Sequence, residues 1–443
     1  MSEKIPTTYI EDLSILESMF PNINPWGSYD TLSMTPLVNK FTAEETLKEI
    51  NDFKLETIYN THRLILHEVN HWYQNNTTVW GQKYTLKWIN CIHLRRRNVY
   101  REFYQIAEFA KYTRFLQLID YYTYVLKKEY DHSRQQKWYL KIDLGERFDC
   151  EGKITYKYPQ LFVHFANERE EEICRIPLSV ATLLEAEAKY SEYELIDWAI
   201  STFSDKEDSS NTIKLLEIFS EEQHISMYHP DYVKYSTATH IVANRFDLTS
   251  LREASIITHL LVRISLNLPG FLYKDIKVPK DLIPSPIAVA SFIELEDPVY
   301  VFYSLVFSSE GKDVKDLKEL IELILKSANL PKLSKLNKLV MDEMEKLTDQ
   351  IIEGPEEKIV SRFLEVGRYN YEKVGILGSP LISEFYGTKE VILPWIYCKD
   401  GNSIYLSKEQ SEELSTQTDF LLRRIAYQNI INEFLYACCI SPL

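Results

Sequence analysis

Between Ala43 and Lys128 the chain carries no proline and one glycine, Gly81. A segment without helix breakers, with apolar residues at helical intervals, has few options other than long helices. The pattern opens at Thr42, whose spacing to Glu45 is that of a capping box, and runs through Leu47, Ile50, Leu55, Ile58, Leu64, Ile65, Val69 and Trp72. A second helical block, Lys83 to Lys128, is dense in aromatics such as Tyr84, Trp88, Tyr100, Phe109 and Tyr121. The whole chain shares the bias, with 12 glycines in 443 residues against 30 Tyr, 20 Phe and 7 Trp. Glycine is what tight turns and phosphate-cradling loops consume, so this composition argues for amphipathic helices and against a nucleotide site. The string E-G-K-I at 151–154 fails as a phosphate loop, because Ile154 stands where Ser or Thr is required.

Hydrophobic residues at 45% and charged residues at 26% make a folding composition. A net charge of -15, from 50 basic and 65 acidic side chains, repels phosphate backbones and anionic lipid, which argues against nucleic acid as a partner. The basic triplet Arg95, Arg96 and Arg97 beside His93 reads as a salt-bridged helix face in so acidic a chain. Six cysteines without a CxxC pair show neither a disulfide framework nor a cysteine zinc site, and a reducing compartment is expected. With no signal-peptide core and no uncharged apolar run of spanning length, the expected location is cytoplasmic, without a membrane span.

The expected class is mainly α (α+β), in three parts. Residues 1–42, punctuated by Pro21, Pro25, Gly27 and Pro36, read as an extended arm over the body. Residues 43–203 hold helices with an inserted β-meander at 137–166, in which WYLKIDL, KITYKY and QLFVHFA read as three short strands with a turn at Pro159. Helices resume from Pro177, and SDKEDSSN at 204–211 reads as a linker. Residues 212–443 read as mainly helical, with a hairpin around Asp400-Gly401 and a closing helix.

One motif carries chemistry. In L-I-L-H-E-V-N-H-W-Y-Q, His67, Glu68 and His71 form H-E-x-x-H, which on a helix stacks two imidazoles one turn apart with a carboxylate beside them. That arrangement suits Zn2+, with Glu68 as general base and later acid for a metal-activated water. Gln74, three residues beyond His71, shares the face and is placed to support it. His62 lies off that face and reads as structural. A catalytic zinc needs a third protein ligand.

Taken with I-P-L-S-V-A-T-L-L-E-A-E-A-K-Y at 176–190, the sequence resembles the gluzincin class of zinc metallopeptidases, in which a Glu in an L-L-E-G-x-A-x-Y-like helix completes the metal site. The resemblance covers about twenty residues and implies a zincin-like helical core. It also implies metal ligands His67, His71 and Glu185, with Glu68 catalytic and a peptide or protein as substrate. The sequence departs from the pattern at Ala186, where Gly is usual, at Lys189, where an acid is common, and in the long spacing between the two segments. Glu185 also reads as one half of an exposed ion pair with Lys189, and Glu187 points to the other side of that helix. Glu170, Glu171 and Glu172 read as a solvated face. One of His224, His229, His240 and His259, or a tyrosine such as Tyr228, is open as an oxyanion donor, as is β-addition of a peptide to a meander strand. A rival reading is a non-catalytic or degenerate zincin-like helical interaction protein of a defence or toxin-antitoxin kind, whose aromatic faces bind a partner.

Overall fold

The computed structural model describes residues 27–30, 34–52, 54–97, 100–102, 104–107, 109, 122–126, 138–148, 153–203, 209–309, 316–350, 357–379 and 391–405. The fold is mainly α with two small sheets. Helix α1 (Ala43–Asn51) starts where the capping box places it, with Glu45 N–H donating to Thr42 Oγ1 and Thr42 N–H donating to Glu45. The expected single long helix is broken after it. A short turn at Leu55–Thr57 and a π-helical stretch at Ile58–His62 lead into α2 (Arg63–Asn76), and α3 (Val79–Arg96) follows after a break at Thr77 and Thr78.

Gly81 explains how α3 turns back so tightly. A Cβ there would lie 2.2 Å from the Asn75 carbonyl oxygen, so only glycine permits the approach. The closing region of α2 is gripped from elsewhere as well, with Asn76 donating to the Phe363 carbonyl and Gln82 donating to the Asn76 carbonyl. One side of α2 is apolar and fully buried, through Ile65, Leu66, Val69, Trp72 and Tyr73. Each such side chain contributes about 1.5–3 kcal/mol on burial and fixes the rotation of the helix, and with it the direction of the polar residues between them.

The first sheet joins the two ends of the described chain in the order β1 (Gly27–Asp30), β2 (Thr35–Val38), β7 (Trp395–Cys398), β8 (Ser403–Tyr405). Strands β1 and β2 are antiparallel, β2 and β7 parallel, and β7 and β8 form the hairpin expected around Asp400-Gly401. Within the expected arm, therefore, residues 27–30 and 35–38 belong to this sheet, and β1 and β2 pack on α2.

The second sheet has the order β3 (Tyr124–Val125), β6 (Glu172–Leu178), β5 (Ile154–Ala166), β4 (Tyr139–Phe148). It corrects the expected meander in three respects. KITYKY and QLFVHFA are one strand, because Pro159 sits at a register shift opposite Glu146, where a bulge tolerates its missing N–H. The third long strand comes from residues 172–178, so the helix resumes at Val180 and not at Pro177. Val125 pairs with Cys174, so the second helical block does not continue through Tyr124. Glu172, though in β6, stays solvent-facing as expected of the acidic run.

Helix α4 (Val180–Phe203) crosses α2 and forms the centre of the molecule. Ser209 to Asn211 of the expected linker belong instead to α5 (Ser209–Tyr228), and residues 204–208 lie outside the described residues; α6 (Val233–Arg245) and α7 (Leu251–Asn267) follow, and both pack on α4. Helices α8 (Pro286–Glu294), α9 (Pro298–Ser308), α10 (Leu317–Ser327), α11 (Leu333–Thr348) and α12 (Glu357–Val374) complete the described fold. One apolar cluster runs from Met34 to Ile404, so the described residues on either side of 204–208 share one core. Among the described residues no helix is long and apolar enough to cross a membrane. The closing helix expected after the hairpin, with Cys438 and Cys439, lies outside the described residues.

Candidate metal centre

Helix α2 presents His67 and His71 one turn apart toward α4, and α4 presents Glu185 back toward them. The His67 and His71 Nε2 atoms are 3.2 Å apart, and Glu185 Oε2 lies 3.3 Å from the first and 3.6 Å from the second. These three are the group of His, Cys, Asp or Glu side chains, among the described residues, whose ligand atoms converge closely enough to hold one ion.

The outer nitrogens define what those inner atoms are. His67 Nδ1–H donates to Glu192 Oε1 at 2.8 Å, and His71 Nδ1–H donates to Gln74 Oε1 at 2.9 Å. The Gln74 amide is oriented by its own nitrogen, which donates to the Leu184 carbonyl at 2.7 Å, so its oxygen must face His71. With both Nδ1 atoms committed as donors, a ring in its neutral form turns its Nε2 lone pair inward, toward Glu185 Oε2. Three electron-pair donors facing one another at 3.2–3.6 Å repel unless a proton or a metal ion stands among them.

Zinc–ligand bonds of about 2.0–2.1 Å in a tetrahedron separate ligand atoms by about 3.3–3.4 Å, so the donor set and its spacing both fit. The pKa shifts show the same demand for positive charge. Burial alone would push His67 down, but the Glu185 and Glu192 carboxylates against its two nitrogens overcome this and raise it to about 10. Burial likewise opposes ionisation of Glu185, yet the two imidazoles hold it well below the usual carboxylate range.

Glu68 lies on the same helix, only 5% exposed, beneath Gly27 of β1. A Cβ at Gly27 would come within 2.8 Å of Glu68 Cγ, so the strand needs glycine there to lie this close. Burial raises the Glu68 pKa, with His67 and His71 pulling it down and Glu185 and Glu192 adding to the rise. Such a carboxylate holds a proton more readily than a surface one.

Several expectations are corrected around this centre. Lys189 does not pair with Glu185; its ammonium donates to Glu192 Oε2 at 2.9 Å, and Arg63 Nε approaches the same oxygen at 3.5 Å. Glu192 therefore supplies the acid behind His67 that the resemblance would place at position 189. It was missed because the pattern directs attention to the position one turn after Glu185, whereas Glu192 stands two turns along the same face. Glu187 does point away, into a separate buried cluster with His259 and Arg263. His62 is fully buried, its Nε2 donating to the Glu49 carbonyl at 2.9 Å.

Tyr228 and His240 are packing residues. The His240 ring stacks on Trp138 at 5.1 Å and its Nε2–H donates to the Met227 carbonyl, while Tyr228 meets both rings edge-on. His229 accepts from Asp231 N–H at a helix start. Among the described residues, the tyrosines beside the imidazoles are Tyr235 of α6, 6.1 Å from the His67 ring, and Tyr29 of β1, 6.4 Å from the His71 ring. The side chains of Arg95, Arg96 and His224 lie outside those described. No protein-family model matches this chain, and no curated protein and no solved structure matches it.

Proposed function

We propose that the protein is a zinc-dependent metallopeptidase, with His67, His71 and Glu185 as the metal ligands and Glu68 as the catalytic carboxylate. The observation that carries the reading is the inward-facing set of two Nε2 atoms and one carboxylate oxygen at 3.2–3.6 Å, with both Nδ1 atoms already engaged as donors. Zinc bound there supplies Lewis-acid activation of water and of a carbonyl. The remaining work belongs to the chain. Glu192 and Gln74 hold the two imidazoles in the tautomer that offers Nε2. Glu68 accepts a proton from the attacking water and returns it to the leaving amine, and its raised pKa suits that exchange.

Substrate placement is assigned to the first sheet and not to the meander. Among the described residues β1 is an edge strand whose Gly27 lies against Glu68, so an extended peptide added to its outer edge would lie close to the site. The second sheet packs against α6 and α8 instead.

Metal analysis of the wild-type protein beside His67→Ala tests the reading. We expect about one zinc per wild-type chain and little in the variant, because two remaining ligands make a poor site. A folded wild-type protein that holds no divalent metal when metal is supplied would return the site to the non-catalytic alternative.

A further inference from the structure

The net charge of -15 is not spread evenly along the chain. Where α10 gives way to α11, residues 326–338 read K-S-A-N-L-P-K-L-S-K-L-N-K, four lysines and no acid. Lys332, Lys335 and Lys338 recur every three residues into the first turns of α11, so they follow one side of it. A second run, Lys274, Lys277 and Lys280, lies against the first. Lys277 N–H donates to the Ala328 carbonyl at 3.0 Å, and Asn329 Nδ2 donates to the Asp275 carbonyl at 2.8 Å. All seven lysines are exposed, and none forms an ion pair among the described residues. Three carboxylates accompany them in sequence, Asp275, Asp281 and Glu322. Asp281 accepts from the Tyr303 hydroxyl and Glu322 from the Leu333 N–H, so positive charge prevails on this face. Screening over about 8 Å in physiological salt keeps it distinct from the acidic remainder of the surface.

The same turns hold apolar side chains out in solvent. The 3-10 turn Gly270–Asp275 buries Leu272 and Tyr273 and leaves Phe271 48% exposed. Side chains three apart in such a turn eclipse, so Phe271 and Lys274 share a face. The turn Lys280–Leu282 repeats the arrangement, with Leu282 buried and Ile283 61% exposed three residues after Lys280. Both turns pack against α8, in whose first turn Ile287 is 69% exposed. Three large apolar side chains on adjoining turns, fixed there by buried neighbours, exceed the single scattered exposures normal for a surface.

We infer that this face docks the protein on an anionic lipid bilayer, with Phe271, Ile283 and Ile287 entering the interfacial layer and the lysines meeting acidic headgroups. Apolar insertion and charge attraction add in holding a protein at such a surface, and lysine stems lie along apolar surface while the ammonium reaches the headgroups. Protein interfaces favour arginine and deplete lysine, and every cation of this face is a lysine. A phosphate backbone offers no seat for Ile283 and Ile287. The inference is independent of what the metal centre does.

Flotation of the full-length protein with vesicles tests it, using phosphatidylcholine alone and phosphatidylcholine with about one-third phosphatidylserine. We expect partitioning onto the anionic vesicles at least about tenfold above that onto the neutral ones, weakening as salt is raised. Lys332→Gln, Lys335→Gln and Lys338→Gln together should lower it about tenfold, and so should Phe271→Ser with Ile283→Ser. Lys141→Gln, at an exposed lysine of the second sheet, should leave it unchanged. Every substitution is at an exposed position, and thermal unfolding checks that the fold is kept. Equal partitioning onto both vesicles, or none onto either, overturns the inference, as does binding that neither set of changes weakens. A loss with the lysine set and none with the apolar set overturns it too, and assigns the face to a soluble polyanion, for which competition by a DNA duplex or by poly-glutamate distinguishes the class.

Discussion

Two residues apart on α4, Glu185 and Glu187 face opposite sides of the helix and enter two different clusters, the first half-buried and the second buried. Glu185 meets the inner nitrogens of two imidazoles, with no lysine or arginine in contact with it among the described residues. Glu187, 1% exposed, meets His259 at 3.5 Å and the guanidinium of Arg263 at 3.7 Å. Arg263 is fully buried and anchored through Thr77 Oγ1, the Thr77 carbonyl and the Ile376 carbonyl, with the Tyr73 ring against it. The two histidines respond in opposite senses. His67 is raised to about 10 by its carboxylates against the effect of burial, whereas burial, reinforced by Arg263, pushes His259 down to about 3. Burial also raises Glu187, to about 7, with Arg263 opposing. One cluster has a guanidinium built in; the other has only imidazoles to set against its carboxylate, and their positive charge can come from a proton or a metal ion.

The sharpest way to divide the clusters is Glu68→Gln. It should lower peptide turnover by about 10²–10⁴-fold while zinc stoichiometry stays at the wild-type value, read by a peptide assay beside metal analysis. Variants of the guanidinium cluster should do the reverse. Arg263→Met strands the Glu187 carboxylate and is expected to cost about 3–5 kcal/mol in denaturant unfolding, with the folded fraction still binding zinc. Loss of zinc without loss of stability would mean that the roles assigned to the two clusters are exchanged.

Glu192→Gln removes the charge behind His67 and should weaken zinc about 10–100-fold in competition with a chelator. Zinc affinity should also depend on pH, by a modest step per unit. Zinc needs the lone pair that a proton occupies in metal-free His67, and the protonated form dominates below a pKa of about 10. Affinity should therefore weaken by about tenfold for each unit that pH falls from 10 toward 7. Imidazole NMR signals of His259 should show no titration over the same window, because its pKa of about 3 keeps it neutral there.

How far the molecule could be read from residues depended on the range of each interaction. The capping box at Thr42 and Glu45 and the turn at Asp400-Gly401 were legible because each closes within a few residues. The shared direction of His67 and His71 follows from one turn of helix, and the engagement of Gln74 with His71 from three residues more. Glu185 was reached through the resemblance, and its spacing alone left an ion pair with Lys189 equally open. Glu192 and Tyr235 escaped notice, since a side chain two turns away and one on another helix leave no local spacing to find.

The chain by itself determined a helical, glycine-poor protein with two imidazoles and a carboxylate stacked on one helix face, because propensity, capping and the 3.6-residue repeat act over neighbouring positions. Tertiary structure decided the rest. The parallel pairing of β2 with β7 joins Leu37 to Tyr397, and no residue pattern announces a contact between such distant segments. The break after Asn76, the tight approach at Gly81 and the single strand through Pro159 depend on what packs opposite. Which of Glu185 and Glu187 faces the imidazoles, and which of Lys189 and Glu192 supports them, was settled by the rotation of α4 against α2. That rotation is set by apolar burial over the whole interface, a sum that no short motif contains.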